Sequence, residues 1–447
     1  MVFSVFSASE ARKIADRLIK SSRADSCTVS IEGAEDTYLR FAQNSATTNG
    51  SHSLVRMTIE SHIGGRAGSV TITGLDEGAF AAARVRSEEI ARLAPTNPEF
   101  MPPLGPQHYE DGVGYDAPTA TVRPASLAAA IGDVIRQAVD DAVNVAGYAI
   151  VGRDSTAFAT SAGLFAYDRR TRTEFTVTAR NKTGTWSGWS GKAETRFDRL
   201  DIAHLGRRAI DKASQAQAPI ELDPGKYTVI LESAAVADLL LPMLWVMEAR
   251  AADEGRSFFS KKGGGNKLGE RLFNETVTIY SDPNDPIAPE PVFGEDGLPQ
   301  CRTIWVESGV VKTLCYSRFW AEKMGTDPVP KPRSLVMAGG SSSIEEMIRD
   351  VKRGVLVTRL WYVNFVDLRT LLLTGLTRDG NFLIENGRIV GPVRNFRFNE
   401  SLATVLRNIA AIGPSERSHG GLFGDVVISI PPLLVKEFTF SSKAAGI

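Results

Sequence analysis

Hydrophobic residues near the N-terminus change from a helical to a strand-like spacing. Over about residues 8–21 they recur on one helix face, directly after a Ser-x-x-Glu capping box at Ser7 and Glu10. Residues 27–73 instead alternate apolar and polar side chains. The alternation is clearest in Val55, Met57 and Ile59, which are separated by Arg56 and Thr58. The pattern predicts a first helix, a half-buried antiparallel sheet and a second helix over about 76–92.

Proline is concentrated between residues 95 and 124, where seven of the chain's 22 prolines fall. Because proline removes a backbone donor and restricts the residue before it, this stretch is predicted to be an extended connector. It separates an N-terminal α/β subdomain, 1–94, from a middle α+β segment, 125–218. The elements expected in the middle segment are helices at 125–143 and 199–215 and strands near 146–152, 155–160 and 172–180.

The C-terminal part, 219–447, is predicted to be rich in strands. It begins with the strand-like run 227–231, and no internal repeat is evident. The helices expected within it lie near 234–252, 316–324, 343–352 and 400–411. The predicted fold class is therefore α+β, with a helix-and-antiparallel-sheet N-terminal part and a strand-rich C-terminal domain.

Composition indicates an ordinary folded protein whose positive and negative charges nearly balance. Lys and Arg total 51 against 52 for Asp and Glu, giving a formal net charge of -1, so no nucleic-acid partner is expected. The most basic stretch, 249–272, is interpreted as a solvated loop. The longest apolar run, 234–247, contains Asp238 and Pro242 and is shorter than a bilayer span of ~20 residues. No membrane partner is expected.

The N-terminus and the cysteines favour a cytoplasmic protein. MVFSVFSASEARK lacks the cationic start and apolar core of a secretory signal. Cys27, Cys301 and Cys315 show no C-x-x-C spacing, and we expect three reduced thiols that are buried or half-buried.

Three blocks in the C-terminal half carry a resemblance to a known family, and their order and spacing make it specific. The blocks are PGKYTVILESAAVADLL (224–240) with GRSFFSKKGGGNKLGERLFNETVTIYSDPNDP (255–286), GVVKTLCYSRFWAEKMGTD (309–327) and NFLIENGRIVGPVRNFRFNESLATVLRNIAAIG (381–413). Together they resemble the TldD/PmbA family of zinc-dependent peptidases. Residues 39–50 and 151–179 extend the resemblance more weakly into the N-terminal half.

The resemblance also shows what this sequence lacks. Catalytic members carry His-Glu-x-x-x-His on a helix and a cysteine near the C-terminus. Aligned from Ser257, those positions fall near Leu240, Leu241 and Trp245, and the cysteine falls near Arg417 or Ser418. A zinc site needs about four N, S or O ligands, which these side chains cannot supply. We therefore expect no catalytic residue, no metal site and no cofactor in this chain.

The resemblance implies a PmbA-like, or TldE-like, supporting subunit. It would form a heterodimer with a TldD-like homologue that supplies the zinc, and the complex would degrade or process small or unfolded peptides. Two alternatives stay open: a regulatory or binding protein of the PmbA type, and a self-sufficient hydrolase with chemistry that needs no zinc. The second would need a base for its nucleophile, and His419 is the only histidine beyond residue 204.

Several large side chains are candidates for lining a peptide cleft. They are Trp245, Trp361, Tyr362, Phe365 and His419. The competing interpretation is that the aromatic residues belong to the core, where such residues are usually mostly buried, and that His419 lies in a turn beside Gly420 and Gly421.

Overall fold

A computed structural model describes residues 5–74, 76–214, 218–419 and 426–444. The N-terminal elements are α1 (Ala8–Ser21), β1 (Ser26–Ala42), β2 (Ser45–Ile63), β3 (Arg66–Thr73) and α2 (Glu77–Leu93). The predicted first helix is confirmed: the Ser7 side chain accepts from the Glu10 backbone, and Glu10 accepts from the Ser7 N–H at 2.8 Å. The alternation on β2 is also confirmed, because Val55, Met57 and Ile59 are buried.

The middle segment continues the same sheet. Its elements are α3 (Pro124–Asp140), β4 (Asn144–Thr160), β5 (Phe165–Arg180), β6 (Ser187–Glu194) and α4 (Ile202–Ala213). The six strands pair in the order β3-β2-β1-β4-β5-β6. Strands β1 and β4 pair antiparallel from Thr28 opposite Thr160 to Phe41 opposite Gly147. The connector thus joins two segments that are hydrogen-bonded to each other within one sheet.

One local prediction for the middle segment is wrong. The two strands expected at 146–152 and 155–160 form the single strand β4. Gly152 marks a close approach rather than a turn, since a Cβ placed on it would lie 1.9 Å from Asp36 Oδ1. Glycine at this point lets two neighbouring strands keep their register.

The C-terminal part forms two further sheets. Its helices are α5 (Ser233–Leu240), α6 (Met243–Val246), α7 (Ala249–Asp253), α8 (Arg318–Met324), α9 (Ile344–Asp350) and α10 (Leu402–Arg407). Its strands are β7 (Gly225–Leu231), β8 (Ile279–Ser281), β9 (Thr303–Glu307), β10 (Val310–Val311), β11 (Ser334–Met337), β12 (Arg353–Asp367), β13 (Leu372–Glu385), β14 (Arg388–Pro392), β15 (Phe396–Ser401), β16 (Ile409–Ile412), β17 (Glu416–Ser418), β18 (Val427–Ile430) and β19 (Leu433–Lys443). The α+β fold class, with a strand-rich C-terminal domain, is confirmed.

The two C-terminal sheets share one large core. One sheet has the order β10-β9-β8-β11-β18-β17, and the other has the order β12-β7-β19-β15-β13-β14 with β16 on β19. An additional pairing of β12 with β13 closes the second sheet on itself. Side chains of both sheets and of α5 meet in this core, including Val229, Val355, Ile279, Trp305 and Leu239.

The single helix expected over 234–252 is broken into α5, α6 and α7. Proline has no backbone N–H and clashes with the preceding turn, so Pro242 ends α5 after Leu240. The chain then turns through the four residues of α6 and the five of α7. This break separates the environments of Leu241 and Trp245.

The N-terminal sheet meets the C-terminal part along β6. Trp186 packs edge-on against Phe382 with ring centroids 5.5 Å apart, and Ser187 donates to Asp379 at 2.8 Å. Of the three cysteines, Cys27 and Cys315 are buried, but Cys301 is exposed, which corrects the expectation for that residue. No helix within the described residues is long and apolar enough to cross a membrane.

Candidate functional site

The positions where zinc ligands would fall lie in three different environments. Leu240 and Leu241 are 0% and 3% exposed and pack in the C-terminal core. Trp245, beyond the Pro242 break, is 58% exposed. Arg417 is buried on β17, next to the buried Ser418. In the described part of the chain, His, Cys, Asp and Glu do not gather in threes as a metal site requires, so these residues do not fit a zinc ion.

Two of the aromatic candidates, Trp245 and Tyr362, are exposed, whereas Phe365 is partly buried and packs against the C-terminal core. Trp245 packs beside Phe365 with ring centroids 6.4 Å apart. Tyr362 is 68% exposed and has a positive φ of 55°, at a register shift of β12 against β13. Trp361 is half-buried, and the guanidinium groups of Arg359 and Arg378 lie over its ring at 5.2 and 5.0 Å. The exposure of Trp245 and Tyr362 argues against the core interpretation for these two; a role in a peptide cleft stays a prediction.

His419 lies beside a half-buried carboxylate of the N-terminal sheet. Its Nδ1 lies 2.7 Å from Glu174 Oε1, and Tyr148 donates a hydrogen bond to the same oxygen. Burial opposes ionisation of Glu174, but His419 and Tyr148 hold its pKa below the ordinary value. The ring of His419 also lies 6.3 Å from that of Trp189 on β6. His419 thus joins β5 and β6 to the C-terminal part.

Arg359 connects this histidine region to Trp361. Its guanidinium carbon lies 4.7 Å from the ring centroid of Trp189 and 5.2 Å from that of Trp361. Asp238 of α5 provides the opposing charge and accepts a hydrogen bond from the Leu360 N–H at 3.1 Å. Burial raises the pKa of Asp238 to about 6, although Arg359 favours its ionised form. Trp361 and His419 are therefore linked through Arg359 and Trp189 by successive ring contacts.

We expect Asp238→Asn to stabilise the protein increasingly as the pH rises. The folded-state pKa of Asp238 lies above its unfolded value, so the folded chain prefers the protonated acid and loses stability as the pH rises through about 6. Asparagine keeps a side-chain oxygen that can accept from the Leu360 N–H, but it does not ionise. The variant and the native protein should be about equally stable near pH 3, below the ordinary pKa of 3.8, and differ by roughly 1–2 kcal/mol at about pH 8, allowing for partial exposure.

Urea unfolding at both pH values checks this expectation. A difference that stays constant with pH would show that Asp238 does not carry the raised pKa.

A buried ion cluster lies beside the start of α5. Glu232 forms ion pairs with two residues of α4, Lys212 at 2.8 Å and Arg208 at 2.9 Å. The Thr358 hydroxyl donates a hydrogen bond to it at 3.4 Å. Burial lowers the pKa of Lys212 to about 8 despite the adjacent carboxylate. The pKa of Glu232 is lowered, because the two cations outweigh the effect of burial on this acid. The cluster bonds α4 to the C-terminal domain.

An open cleft lies next to this cluster, between β6, α4, the start of α5 and β17. It holds about 360 Å³ of empty space that is partly open to solvent. Its lining is mostly polar and charged: Trp189, Ser190, Gly191, Lys192, Leu205, Arg208, Glu232, Ser233, Ala234, Glu416, Arg417 and Ser418.

Sequence reasoning missed most of this region. Asp238 was visible only as a charge inside an apolar run, and nothing local marked Glu232, Arg208 or Lys212 as a cluster. The available signal was the Arg208 and Lys212 spacing of four on an amphipathic helix, which places both on one face.

Two domains of one protein family match this chain. Residues 115–217 match the PmbA/TldA metallopeptidase central domain, and residues 224–442 match the PmbA/TldA metallopeptidase C-terminal domain. Together the two matches cover more than half of the chain.

Curated relatives are similar over about half of their length. A protein named "Metalloprotease" from Methanothermobacter thermautotrophicus is 26% identical over 248 residues, which are 53% of this chain and 53% of that protein. A "Metalloprotease TldD homolog" from Buchnera aphidicola is 24% identical over 242 residues, which are 50% of this chain and 48% of that protein.

Solved structures share the fold over nearly the whole chain. TldE from Thermococcus kodakarensis superposes with a TM-score of 0.85 at 17% identity, covering 97% of this chain and 100% of that one. A protein described as a proposed modulator of a DNA gyrase, from Thermotoga maritima, gives 0.83 at 18% identity, covering 96% and 100%. A similarly described protein from Bacteroides thetaiotaomicron gives 0.82 at 21%, covering 97% and 99%. At these identities the likeness shows the fold alone.

Proposed function

The chain belongs to the PmbA/TldD metallopeptidase family, and from that premise we propose that it is a supporting subunit without catalytic residues of its own. Its partner is a homologue with the His-Glu-x-x-x-His motif, which supplies the zinc ion. The complex cleaves or processes small or unfolded peptides, and this chain forms part of the surface that holds them.

The observation that carries this proposal is the packing of Leu240 and Leu241. Both side chains lie in the C-terminal core with Val229, Leu239 and Val246, so the helix face that would present a histidine and a glutamate serves packing instead. Trp245 and Arg417, at the other two positions, have no lone pair suited to zinc. A metallopeptidase fold that uses these positions for packing is suited to recognition rather than catalysis.

Peptide binding has structural support at β6. This strand stands at the end of the six-stranded order, and its residues Trp189–Lys192 line the cleft. A strand at a sheet edge can bind an extended peptide through backbone hydrogen bonds, which require no metal on the supporting chain. Trp189 is 4% exposed and borders the cleft from this strand.

The test is metal analysis and peptide cleavage with the full chain alone and with a co-expressed His-Glu-x-x-x-His homologue. The chain alone is expected to retain no stoichiometric zinc after dialysis and to leave an unfolded peptide intact. The co-purified pair is expected to contain zinc and to cleave it. A pair in which the motif glutamate of the homologue is replaced by glutamine is the control and should be inactive.

Chelator-sensitive cleavage by the lone chain would overturn the proposal. So would isolation of the chain from its native cells in stoichiometric complex with an unrelated protein and without any zinc-bearing homologue, which would favour a regulatory role.

A further inference from the structure

Arg417 is a buried cation without an ion-pair partner among the described residues. The residue is 6% exposed. Its Nη1 donates to two neutral oxygens, Thr195 Oγ1 at 2.8 Å and the Ile287 carbonyl at 2.6 Å. Its Nε finds no acceptor among the described residues, and none of them forms an ion pair with it. Buried charges are normally paired, and Arg417 is one of the residues that line the cleft. We therefore take its charge to indicate an anionic ligand.

The first turn of α5 supplies further donors to the same cleft. This helix has eight residues, and none of the described side chains caps its N-terminus. Ser233 and Ala234 line the cleft, and the Ser233 hydroxyl is buried without a partner among the described residues. Unsatisfied N–H groups and the helix dipole favour an anion at a helix start. Arg417 and α5 therefore point to the same kind of ligand independently.

Among the residues that line the cleft and their ion-pair partners, cations outnumber carboxylates by one, which suits an anion with one negative charge. Lys192 is paired with Glu194 at 2.8 Å, and Glu232 is shared by Arg208 and Lys212. Counting these pairing partners with the lining residues, four cations face three carboxylates. The cations are Lys192, Arg208, Lys212 and Arg417, and the carboxylates are Glu194, Glu232 and Glu416. A doubly charged phosphate would exceed this balance and would meet two lining carboxylates.

The effect of burial on the pKa of Arg417 supports the same conclusion. It lowers the pKa of the guanidinium to about 10, against the attraction of the more distant Glu194. A bound carboxylate would offset that penalty, and a planar carboxylate matches the geometry of a guanidinium.

We propose that this cleft binds a carboxylate group, that of the C-terminus of an extended peptide, with Arg417, the Ser233 hydroxyl and the first N–H groups of α5 as its donors. The peptide lies along β6, which borders the cleft at Trp189 and Lys192. The peptide as source of the carboxylate rests on the proposed function, whereas the carboxylate site rests on the geometry of this chain.

The test is isothermal titration calorimetry of the full chain with N-acetyl tetra-alanine that ends in a free acid or in an amide. The free acid is expected to bind at least ~10-fold more tightly, because a hydrogen bond to a charged group contributes about 1.5–3 kcal/mol. Ser233→Ala removes only an unsatisfied hydroxyl. It is expected to keep its thermal stability and to weaken binding of the acid by roughly 2- to 10-fold.

Arg417→Met is expected to abolish the preference for the acid, and Arg256→Met is its matched control. Arg256 is 56% exposed, pairs with Glu254 and does not line the cleft. Circular dichroism of both variants verifies folding. If Arg417→Met fails to fold, the binding of acid and amide to the native chain and to Ser233→Ala still tests the proposal.

Three results would overturn the proposal: equal binding of acid and amide, binding of neither, or tighter binding of inorganic phosphate than of the peptide acid. Cleavage by the reconstituted pair is measured separately on internally cleaved peptides. If the acid preference is absent but the pair cleaves peptides, the carboxylate site is wrong and the proposed function stands. If the pair does not cleave but the chain prefers the acid, the proposed function is wrong and the carboxylate site stands.

Discussion

Leu241→Glu is expected to lower the free energy of unfolding by about 4–5 kcal/mol, or to prevent folding outright. Leu241 stands where catalytic relatives are expected to carry the glutamate of the zinc motif, but here it is 3% exposed and packs in the C-terminal core. A carboxylate at this position would lose the packing of leucine and would be buried among apolar side chains without a hydrogen-bond donor or cation to satisfy it. Soluble yield and urea unfolding followed by circular dichroism measure the effect.

Two control substitutions separate burial from the mere loss of leucine. Leu241→Met conserves volume and polarity and should change stability by less than about 1.5 kcal/mol. Trp245→His, also at a motif position, should change it by about 1 kcal/mol or less, because Trp245 is 58% exposed. A fully stable Leu241→Glu protein would contradict the placement of this residue and, with it, the main support for a supporting role.

Glu232→Gln is expected to be the second large effect, a destabilisation of roughly 3–5 kcal/mol. Glutamine has nearly the same shape as glutamate but no charge. The substitution therefore leaves Lys212 and Arg208 without their shared carboxylate in a buried setting. Removing one partner of a buried ion pair is strongly destabilising because the remaining charge is not solvated. Thermal and urea unfolding of the purified variant measure it.

Glu275→Gln is the matched control for this change. Glu275 pairs with Arg271 at 3.8 Å, and its side chain is 80% exposed. Exposed ion pairs contribute about 0–1 kcal/mol, so this variant should unfold close to the native protein. Equal effects at the two positions would mean that the cluster at Glu232 is hydrated and does not bond α4 to the C-terminal domain.

Local structure followed the sequence closely where the deciding interactions are local. The capping box at Ser7 and Glu10 and the alternation around Met57 involve residues a few positions apart, and both were predicted correctly. Long-range pairing was not predictable in the same way. The continuous β4 pairs with β1, which places Gly152 opposite Asp36, more than a hundred residues earlier in the chain.

The candidate site was predicted only in part for the same reason. His419 was singled out as a lone C-terminal histidine, but its neighbour Glu174 lies on β5, in the N-terminal sheet. Asp238 and Arg359 come together because α5 packs against β12. None of these pairs has a signature in the spacing of the sequence.

The sequence by itself determined that the motif positions near Leu240, Leu241, Trp245 and Arg417 carry no zinc ligands, because ligand chemistry is a property of side-chain type. Only the tertiary structure decided what those side chains do instead. Leucines of α5 entered the core, the break at Pro242 turned Trp245 to the surface, and Arg417 was buried beside a helix start. Burial and electrostatic environment depend on which distant elements pack together, and that information does not reside in any local stretch of the chain.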